Sequence, residues 1–151
     1  TEIVQGLLAA YRAIEENLPT EPFLDGLIDR GHLHAHSHTC GVGRSYLVID
    51  HNGSVSQCQM HLAQAAPLPP AQELLPLVAA GTIRNLSVDE KEGCRSCSFR
   101  YRCTGGCPIE TLRATGRWDV QSPNCNIYQA LWPAALRLEG LRLLKTNGLL
   151  H

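Results

Sequence analysis

The sequence has few aromatic residues, almost no net charge and no long apolar run. Aromatic residues make up 5% of the 151 residues, so we expect the core to be built from Leu, Ala, Ile and Val. The formal net charge is -1, which implies no bulk attraction to nucleic acid or to an anionic membrane. No apolar run approaches the length of a membrane span, and no basic-then-apolar signal segment opens the chain. We therefore expect neither nucleic acid nor a membrane as a partner.

What the sequence does contain is cysteine. The seven cysteines are Cys40, Cys58, Cys94, Cys97, Cys103, Cys107 and Cys125. Their odd number, the close spacing of several of them and the lack of a secretory signal argue against a disulfide framework. We therefore expect a reducing, cytoplasmic compartment. Because the sequence begins at Thr1, directly in a helical pattern, we interpret it as a piece of a longer protein.

The pattern of apolar residues predicts a small, irregular α+β domain with one β-hairpin and flanking helices. At the start of the chain, apolar residues at steps of three and four predict an amphipathic helix over residues 2–18, which Pro19 stops. A second, short helix is expected to end at Gly31.

The hairpin is predicted over residues 46–49 and 54–57, which are joined by the turn signal Asn52-Gly53. The proline-rich residues 65–71 that follow predict a connector that is neither helix nor sheet.

Three further helices and one irregular segment complete the prediction. The helices are expected over residues 73–80, 108–115 and 125–145, and Pro133 predicts a kink or a break in the last of them. Residues 89–108 show no periodicity, as expected where metal ligands dictate the path of the backbone.

The middle four cysteines read C-x2-C-x5-C-x3-C, and thiolates grouped this closely indicate metal binding. One interpretation is structural zinc, with the pairs Cys94/Cys97 and Cys103/Cys107 at one site and the remaining cysteines at a second site with a histidine. The other is iron–sulfur clusters, because a cubane is wider than a single ion and often takes its last thiolate from a remote part of the chain. The spacing favours the clusters and leaves zinc open.

The complete string of spacings resembles a known family. It reads Cys40-x12-Gly53-x4-Cys58, a gap, the C-x2-C-x5-C-x3-C run, a second gap and then Cys125. This string is similar to that of the seven-cysteine SPASM domain, the C-terminal auxiliary-cluster module of radical SAM enzymes. Seven spacings and one positioned glycine make the resemblance specific.

The resemblance implies a division of the chain into three parts. Residues 1–39 would be a helix and linker that follow a radical SAM core outside this sequence. Residues 40–145 would be the SPASM-like domain with two clusters, and residues 146–151 a tail.

The resemblance also implies two auxiliary [4Fe-4S] clusters with crossed ligation. The ligands of the first cluster would be Cys40, Cys58 and Cys107. The ligands of the second cluster would be Cys94, Cys97, Cys103 and Cys125. A cysteine run whose last member serves the other cluster also occurs in two-cluster ferredoxins.

The first cluster would then have only three thiolates, so its fourth iron needs another protein group, water or substrate. Some family members carry a further cysteine shortly after the first of the set, but residues 41–46 contain none. A histidine is one candidate ligand, and the alternative is that the histidines are ordinary solvated side chains. The candidates are His32, His34, His36 and His38, which would share one face of an extended segment, and His61.

No C-x3-C-x2-C loop, which would bind the cluster that cleaves S-adenosylmethionine, occurs in these residues. We therefore expect this piece not to be catalytic alone. The resemblance implies electron transfer, substrate binding or both, within a radical SAM enzyme that modifies a peptide or protein, often one made on the ribosome. The expected partners are the core domain of the same parent chain and that substrate. A zinc-stabilised binding module without a redox role is the alternative.

Arginines surround the cysteine run, with Glu110 the only acid among them. They are Arg95, Arg100, Arg102, Arg113 and Arg117. They are expected to lie near an anionic cluster or a substrate, or else to form an exposed basic face. Trp118 and Trp132 are expected to be packing residues.

Overall fold

The computed structural model describes residues 1–28 and 34–149, which form six α-helices and a small antiparallel sheet. The helices are α1 (Glu2–Glu16), α2 (Leu24–Leu27), α3 (Ala71–Ala79), α4 (Arg100–Cys103), α5 (Pro108–Thr115) and α6 (Cys125–Thr146). The strands are β1 (Val48–Ile49), β2 (Ser54–Ser56) and β3 (Ala66–Pro67). Single 3-10 segments cover Gln59–Gln64 and Val88–Glu90. This architecture confirms the predicted small α+β domain.

The larger apolar core lies where α1, α2 and α6 meet. Its buried members are Tyr11, Leu18, Leu24, Ile28, Leu131, Trp132, Ala135 and Leu138. The hydroxyl of Tyr11 donates a hydrogen bond of 2.7 Å to the carbonyl of Leu27, so its polar atom is satisfied inside the core. Trp132 stacks on Phe99, with ring centroids 6.2 Å apart. The core therefore extends from the first helix to the cysteine-rich segment.

Helix α6 runs without interruption from Cys125 to Thr146, although Pro133 lies inside it. The break that Pro133 predicts does not occur, because the burial of Trp132 and Ala135 on either side holds the helix against the core. Within residues 1–28 and 34–149, no helix combines the length and the apolar character needed to cross a membrane.

The predicted hairpin is present and gains a third strand. In the sheet order β1-β2-β3, Val55 of β2 pairs with Ile49 on one side and with Ala66 on the other. The turn has Gly53 at φ +79°, where glycine carries no steric penalty. The prediction that residues 65–71 contain no sheet is wrong at β3. Pro67 is tolerated there because an edge strand does not need every N–H donor.

The remaining helices follow the prediction with shifts of one or two residues at their ends. Helix α1 ends at Glu16, α3 begins at Ala71 and continues past Pro76, and α5 covers the predicted residues. Helix α2 ends at Leu27, and the predicted helix end at Gly31 lies outside the described residues.

A second, smaller apolar core lies beside the sheet. Its buried members are Val42, Cys58, Ile83, Cys107 and Ile109, and Tyr46 and Trp118 pack against it. Both tryptophans are therefore packing residues, as predicted. Both cores involve cysteine side chains. The smaller core contains Cys58 and Cys107, and Cys103 packs against the larger core.

Candidate metal centre

None of the seven cysteines forms a disulfide, and they line two separate cavities. The thiols of one cavity, called here the four-thiol cavity, are Cys94, Cys97, Cys103 and Cys125. Those of the other, the three-thiol cavity, are Cys40, Cys58 and Cys107. This division is the same as the one that the resemblance implies for two clusters.

The four-thiol cavity is formed by turns and helix ends. Cys94 and Cys97 close a tight turn, in which the N–H of Cys97 donates to the carbonyl of Cys94 at 2.9 Å. Cys103 is the last residue of α4, and Cys125 is the first residue of α6. The N-terminal end of a helix carries partial positive charge, so a thiolate at Cys125 is stabilised by the helix dipole.

A backbone bridge connects the two chain segments that supply these thiols. The N–H of Glu92 donates to the carbonyl of Asp119 at 2.7 Å, and the N–H of Gln121 donates to the carbonyl of Glu92 at 2.9 Å. Cys125 is thereby held close to the turn at Cys94 despite the long chain between them.

The three-thiol cavity is built on the sheet and on α5. Cys58 follows β2, and its sulfur accepts a hydrogen bond of 3.4 Å from the N–H of Met60. Cys107 is the N-cap of α5. Cys40 is exposed, and the side chain of Asn85 donates to its carbonyl at 2.8 Å. The cysteine after the hairpin and the cysteine before α5 therefore face one space.

The two cavities are connected by the three residues between Cys103 and Cys107. These residues are Thr104, Gly105 and Gly106, with φ of 53°, 76° and 76°. Three successive left-handed residues reverse the chain, and a threonine there is strained. The hydroxyl of Thr39 holds the reversal by donating to the carbonyl of Gly106 at 2.8 Å. The short bridge places Cys103 and Cys107 in different cavities.

The four-thiol cavity is electrostatically unfavourable for thiolates without a cation. Burial raises the pKa of the Cys94 thiol to about 11, and the thiols of Cys125, Cys103 and Cys97 add to this effect while Lys91 opposes it. Burial also raises the pKa of Cys125, with Cys103 and Cys97 contributing. A metal centre would reverse this balance, because its iron or zinc ions neutralise the thiolates.

Lys91 is a buried cation that lies near both cavities. It is 1% exposed, and its Nζ donates a hydrogen bond of 2.8 Å to the carbonyl of Thr104 in the bridge. Burial lowers its pKa, and nearby thiols raise it. These thiols are Cys94 and Cys103 of one cavity and Cys40 and Cys107 of the other. The cysteine pattern did not point to this residue; its place three residues before Cys94 was the available signal.

The four-thiol cavity is narrow and mostly apolar in its lining. The indole N–H of Trp132, which lines it, makes no hydrogen bond within the described part of the chain. Burial raises the pKa of the Cys103 thiol, and the backbone N–H of Gly105 opposes this shift. A Cβ on Gly105 would lie 3.0 Å from the sulfur of Cys94. The cavity thus offers an indole N–H without a partner among the described residues and a glycine where a side chain would intrude.

The thiols are spaced more widely than the ligands of a single metal ion. Among the described residues, no three His, Cys, Asp or Glu side chains lie close enough together to hold one metal ion. The four-thiol cavity has a volume of about 20 Å³, and the three-thiol cavity about 280 Å³. Four cysteines are the donor set of a thiolate-bound cluster, and the four-thiol cavity would have to widen to hold one.

The described histidines do not line the three-thiol cavity; several of them line neighbouring recesses instead. His38 lines a neighbouring surface recess with Cys40, where its Nδ1 accepts a hydrogen bond of 2.9 Å from Arg44. In the neutral ring the proton is therefore on Nε2, which disfavours that nitrogen as a ligand. His61 lines a different recess beside β2. His36 also lines the recess of Cys40, and the ring of His34 lies next to that of His36. His32 lies outside the described residues.

The arginines around the cysteine run have separate roles. Arg100 lines the four-thiol cavity and donates to the carbonyl of Cys97 at 3.3 Å. Arg113 donates to the carbonyl of Met60 at 2.6 Å, at the edge of the three-thiol cavity. Arg117 instead pairs with Glu92 and Asp119, at 2.9 and 3.0 Å. Arg100 thus lies at the four-thiol cavity, whereas Arg117 lies in an exposed pair of salt bridges.

Comparisons with known proteins identify one relative. The chain is 28% identical, over 96 residues, to a protein of Archaeoglobus fulgidus that is named only as an uncharacterized protein. The match covers 61% of this chain and 23% of the relative, so the chain spans about a quarter of that protein's length. No family model and no solved structure matches the chain.

Proposed function

We propose that this domain holds two auxiliary [4Fe-4S] clusters in a cytoplasmic radical SAM enzyme that modifies a peptide or protein, and that it serves electron transfer, substrate binding or both. The observation that carries the proposal is the division of the seven cysteines, none of them in a disulfide, into sets of four and three that line two cavities. The SPASM-like spacing of the cysteines is the second support.

The same division argues against a zinc site. A zinc site built from two close pairs would need Cys94, Cys97, Cys103 and Cys107 around one tetrahedral ion. Cys107 lies in the other cavity. A single zinc ion also draws its sulfur ligands to about 2.3 Å, whereas a cubane spreads its ligands over a wider space.

When bound, the clusters would supply one-electron transfer between the enzyme and its substrate. The chain's own residues would set how readily this occurs. In the four-thiol cavity, the indole N–H of Trp132 has no partner among the described residues, and a hydrogen bond from it to a cluster sulfur would raise the reduction potential.

The three-thiol cavity has the features of a substrate site. It is the larger and more open of the two, and one of its cysteines, Cys40, is exposed. Its lining carries polar groups besides the thiols, among them Tyr46, whose hydroxyl donates to Gln59 at 3.3 Å. No histidine is among its described lining residues. We infer that the fourth iron of the first cluster is exchangeable and open to substrate.

The test is anaerobic reconstitution of the chain with iron and sulfide, followed by assays of iron, acid-labile sulfide and zinc. The proposal expects a brown protein with two clusters per chain. The Cys58→Ser and Cys97→Ser variants are matched controls, and each should lose one cluster. A colourless protein that retains zinc and no sulfide would instead establish the zinc-stabilised binding module.

The remaining parts of the proposal concern the parent protein. S-adenosylmethionine would bind only in a core domain outside this sequence, since the described cysteines are all used by the two cavities. The core domain and the peptide or protein substrate would be the partners. Residues 1–39 would then connect the core to the SPASM-like domain at 40–145, with 146–151 as a tail.

A further inference from the structure

The structure holds one buried cation whose place relates to both cavities. Lys91 is 1% exposed, and its Nζ is bound to the carbonyl of Thr104 at 2.8 Å. Thr104 belongs to the three-residue bridge between Cys103 and Cys107, which line different cavities. The ammonium group therefore lies beside the point where the two thiol sets are closest along the chain.

The ammonium group also approaches the four-thiol cavity directly. A Cβ placed on Gly105 would lie 3.3 Å from Nζ of Lys91 and 3.0 Å from the sulfur of Cys94. Both atoms thus flank the same glycine.

No carboxylate among the described residues forms a salt bridge with Lys91. The neighbouring acids have other partners: Glu90 caps the N–H of Ser87, and Asp89 accepts a hydrogen bond from Tyr101. A buried lysine without an anionic partner is costly, because burial removes its hydration. Its electrostatic neighbours are cysteines of both cavities, which become anions when they bind a metal centre.

We propose that Lys91 is a shared counter-charge for two anionic metal–thiolate centres and raises the reduction potentials of both. This inference rests on the proposed function and extends it, because it assigns a residue outside the ligand set. A positive charge in a low-dielectric interior stabilises the reduced, more negative form of a nearby cluster. One lysine at the bridge acts on both centres, so their potentials change together.

The test is a redox titration of the reconstituted Lys91→Met variant, in which electron paramagnetic resonance reports the reduction of each cluster. Methionine keeps an unbranched side chain, one heavy atom shorter, and removes the charge. Both midpoint potentials are expected to shift to more negative values. The matched control is Lys145→Met, because the sequence contains only these two lysines. Lys145 is exposed and donates to the carbonyl of Leu18, away from the cavities, so its removal should leave both potentials unchanged.

A second variant separates charge from shape. Lys91→Arg keeps the positive charge, and both potentials should stay close to those of the unaltered protein. If Lys91→Met fails to hold clusters while Lys91→Arg holds both, the charge is needed for assembly, which also supports the proposal.

Three outcomes would overturn the inference. Unchanged potentials in Lys91→Met show that the charge does not act on the clusters, and a shift of one potential alone shows that it is not shared. Failure of Lys91→Arg to fold or to hold clusters shows that the lysine acts through its shape. These results leave the proposed function intact. If the unaltered protein binds no iron and sulfide, both the proposed function and this inference are refuted.

Discussion

Cys103 and Cys107 are separated by three residues, yet their thiols line different cavities. The left-handed backbone at Thr104, Gly105 and Gly106 reverses the chain between them. A single short loop thus contributes to both thiol sets, and its conformation decides which cysteine belongs to which set.

The two thiol sets should be separable by mutation. Cys97→Ala is expected to remove the cluster of the four-thiol cavity and to leave much of the other, because the cavities have no thiol in common. Iron content and the electron paramagnetic resonance signal of each variant would be measured, with Cys58→Ala as the reciprocal control. Loss of both clusters from a folded Cys97→Ala protein would show that the assignment is wrong or that assembly is cooperative.

Gly105→Ala should damage the metal centre more than an equally strained substitution elsewhere. A Cβ at Gly105 would lie 2.8 Å from Cδ of Lys91 and 3.0 Å from the sulfur of Cys94. Gly116→Ala is the matched control, because Gly116 has φ +73° and open space around it. Both variants should lose about 1–2 kcal/mol of folding free energy from the left-handed backbone.

Gly105→Ala should lose about a further 1–3 kcal/mol of folding free energy, because the added methyl group overpacks the cavity. It should also bind less iron. Urea unfolding and iron content would be measured for both variants. Equal losses in the two proteins would contradict the proposed crowding at Gly105.

Order in residues 89–108 should depend on metal. The described hydrogen bonds there are mostly short-range turns, such as those from Cys97 to Cys94 and from Cys103 to Phe99, and few buried apolar side chains support them. Amide exchange should be fast across this segment in metal-free protein and slow after reconstitution. The amides of α1 serve as the internal reference. Slow exchange across the segment without metal would refute the prediction.

Metal-free protein should lose stability as the pH rises from 9 to 11. The Cys94 thiol has a pKa of about 11 in the folded chain and 9.0 as an ordinary thiol. Above pH 9 the unfolded chain releases this proton while the folded chain retains it, so unfolding becomes more favourable, by about 2–3 kcal/mol from this group at most. Urea unfolding at several pH values would measure the slope.

Cys94→Ser is the control for this pH dependence. The slope should decrease in this variant without vanishing, because burial also raises the pKa of Cys103 and Cys125. An unchanged slope would show that Cys94 is not the buried thiol responsible.

The first cluster should exchange a ligand with small molecules. Cyanide or a small thiol is expected to perturb the spectrum of the cluster at Cys40, Cys58 and Cys107 and to leave the other unchanged, since no described histidine lines that cavity. His38→Ala should behave as the unaltered protein, because its Nδ1 is bound to Arg44. An unchanged spectrum together with histidine nitrogen coupling would establish a fixed histidine ligand instead.

Much of the fold follows from local patterns. The strong amphipathic period of α1, the proline at the start of α5 and the Asn52-Gly53 turn each act over a few residues, so the sequence predicts them to within two residues. Strand β3 was missed, because a two-residue edge strand exists only through pairing with β2. The continuity of α6 through Pro133 was missed for a related reason, since packing against the core outweighs a local propensity.

The sequence by itself determined that seven cysteines are available, in a spacing that indicates metal and in an odd number that argues against a purely disulfide framework. Only the tertiary structure decided that none of them is in a disulfide, how close they come and which cation lies near both sets. Lys91 illustrates the difference, because its place three residues before Cys94 puts it near a thiol but does not predict its burial. It is buried because the turn at Cys94, the bridge at Thr104 and the segment at Thr39 meet around it. Such an arrangement depends on contacts between residues that are far apart in the sequence.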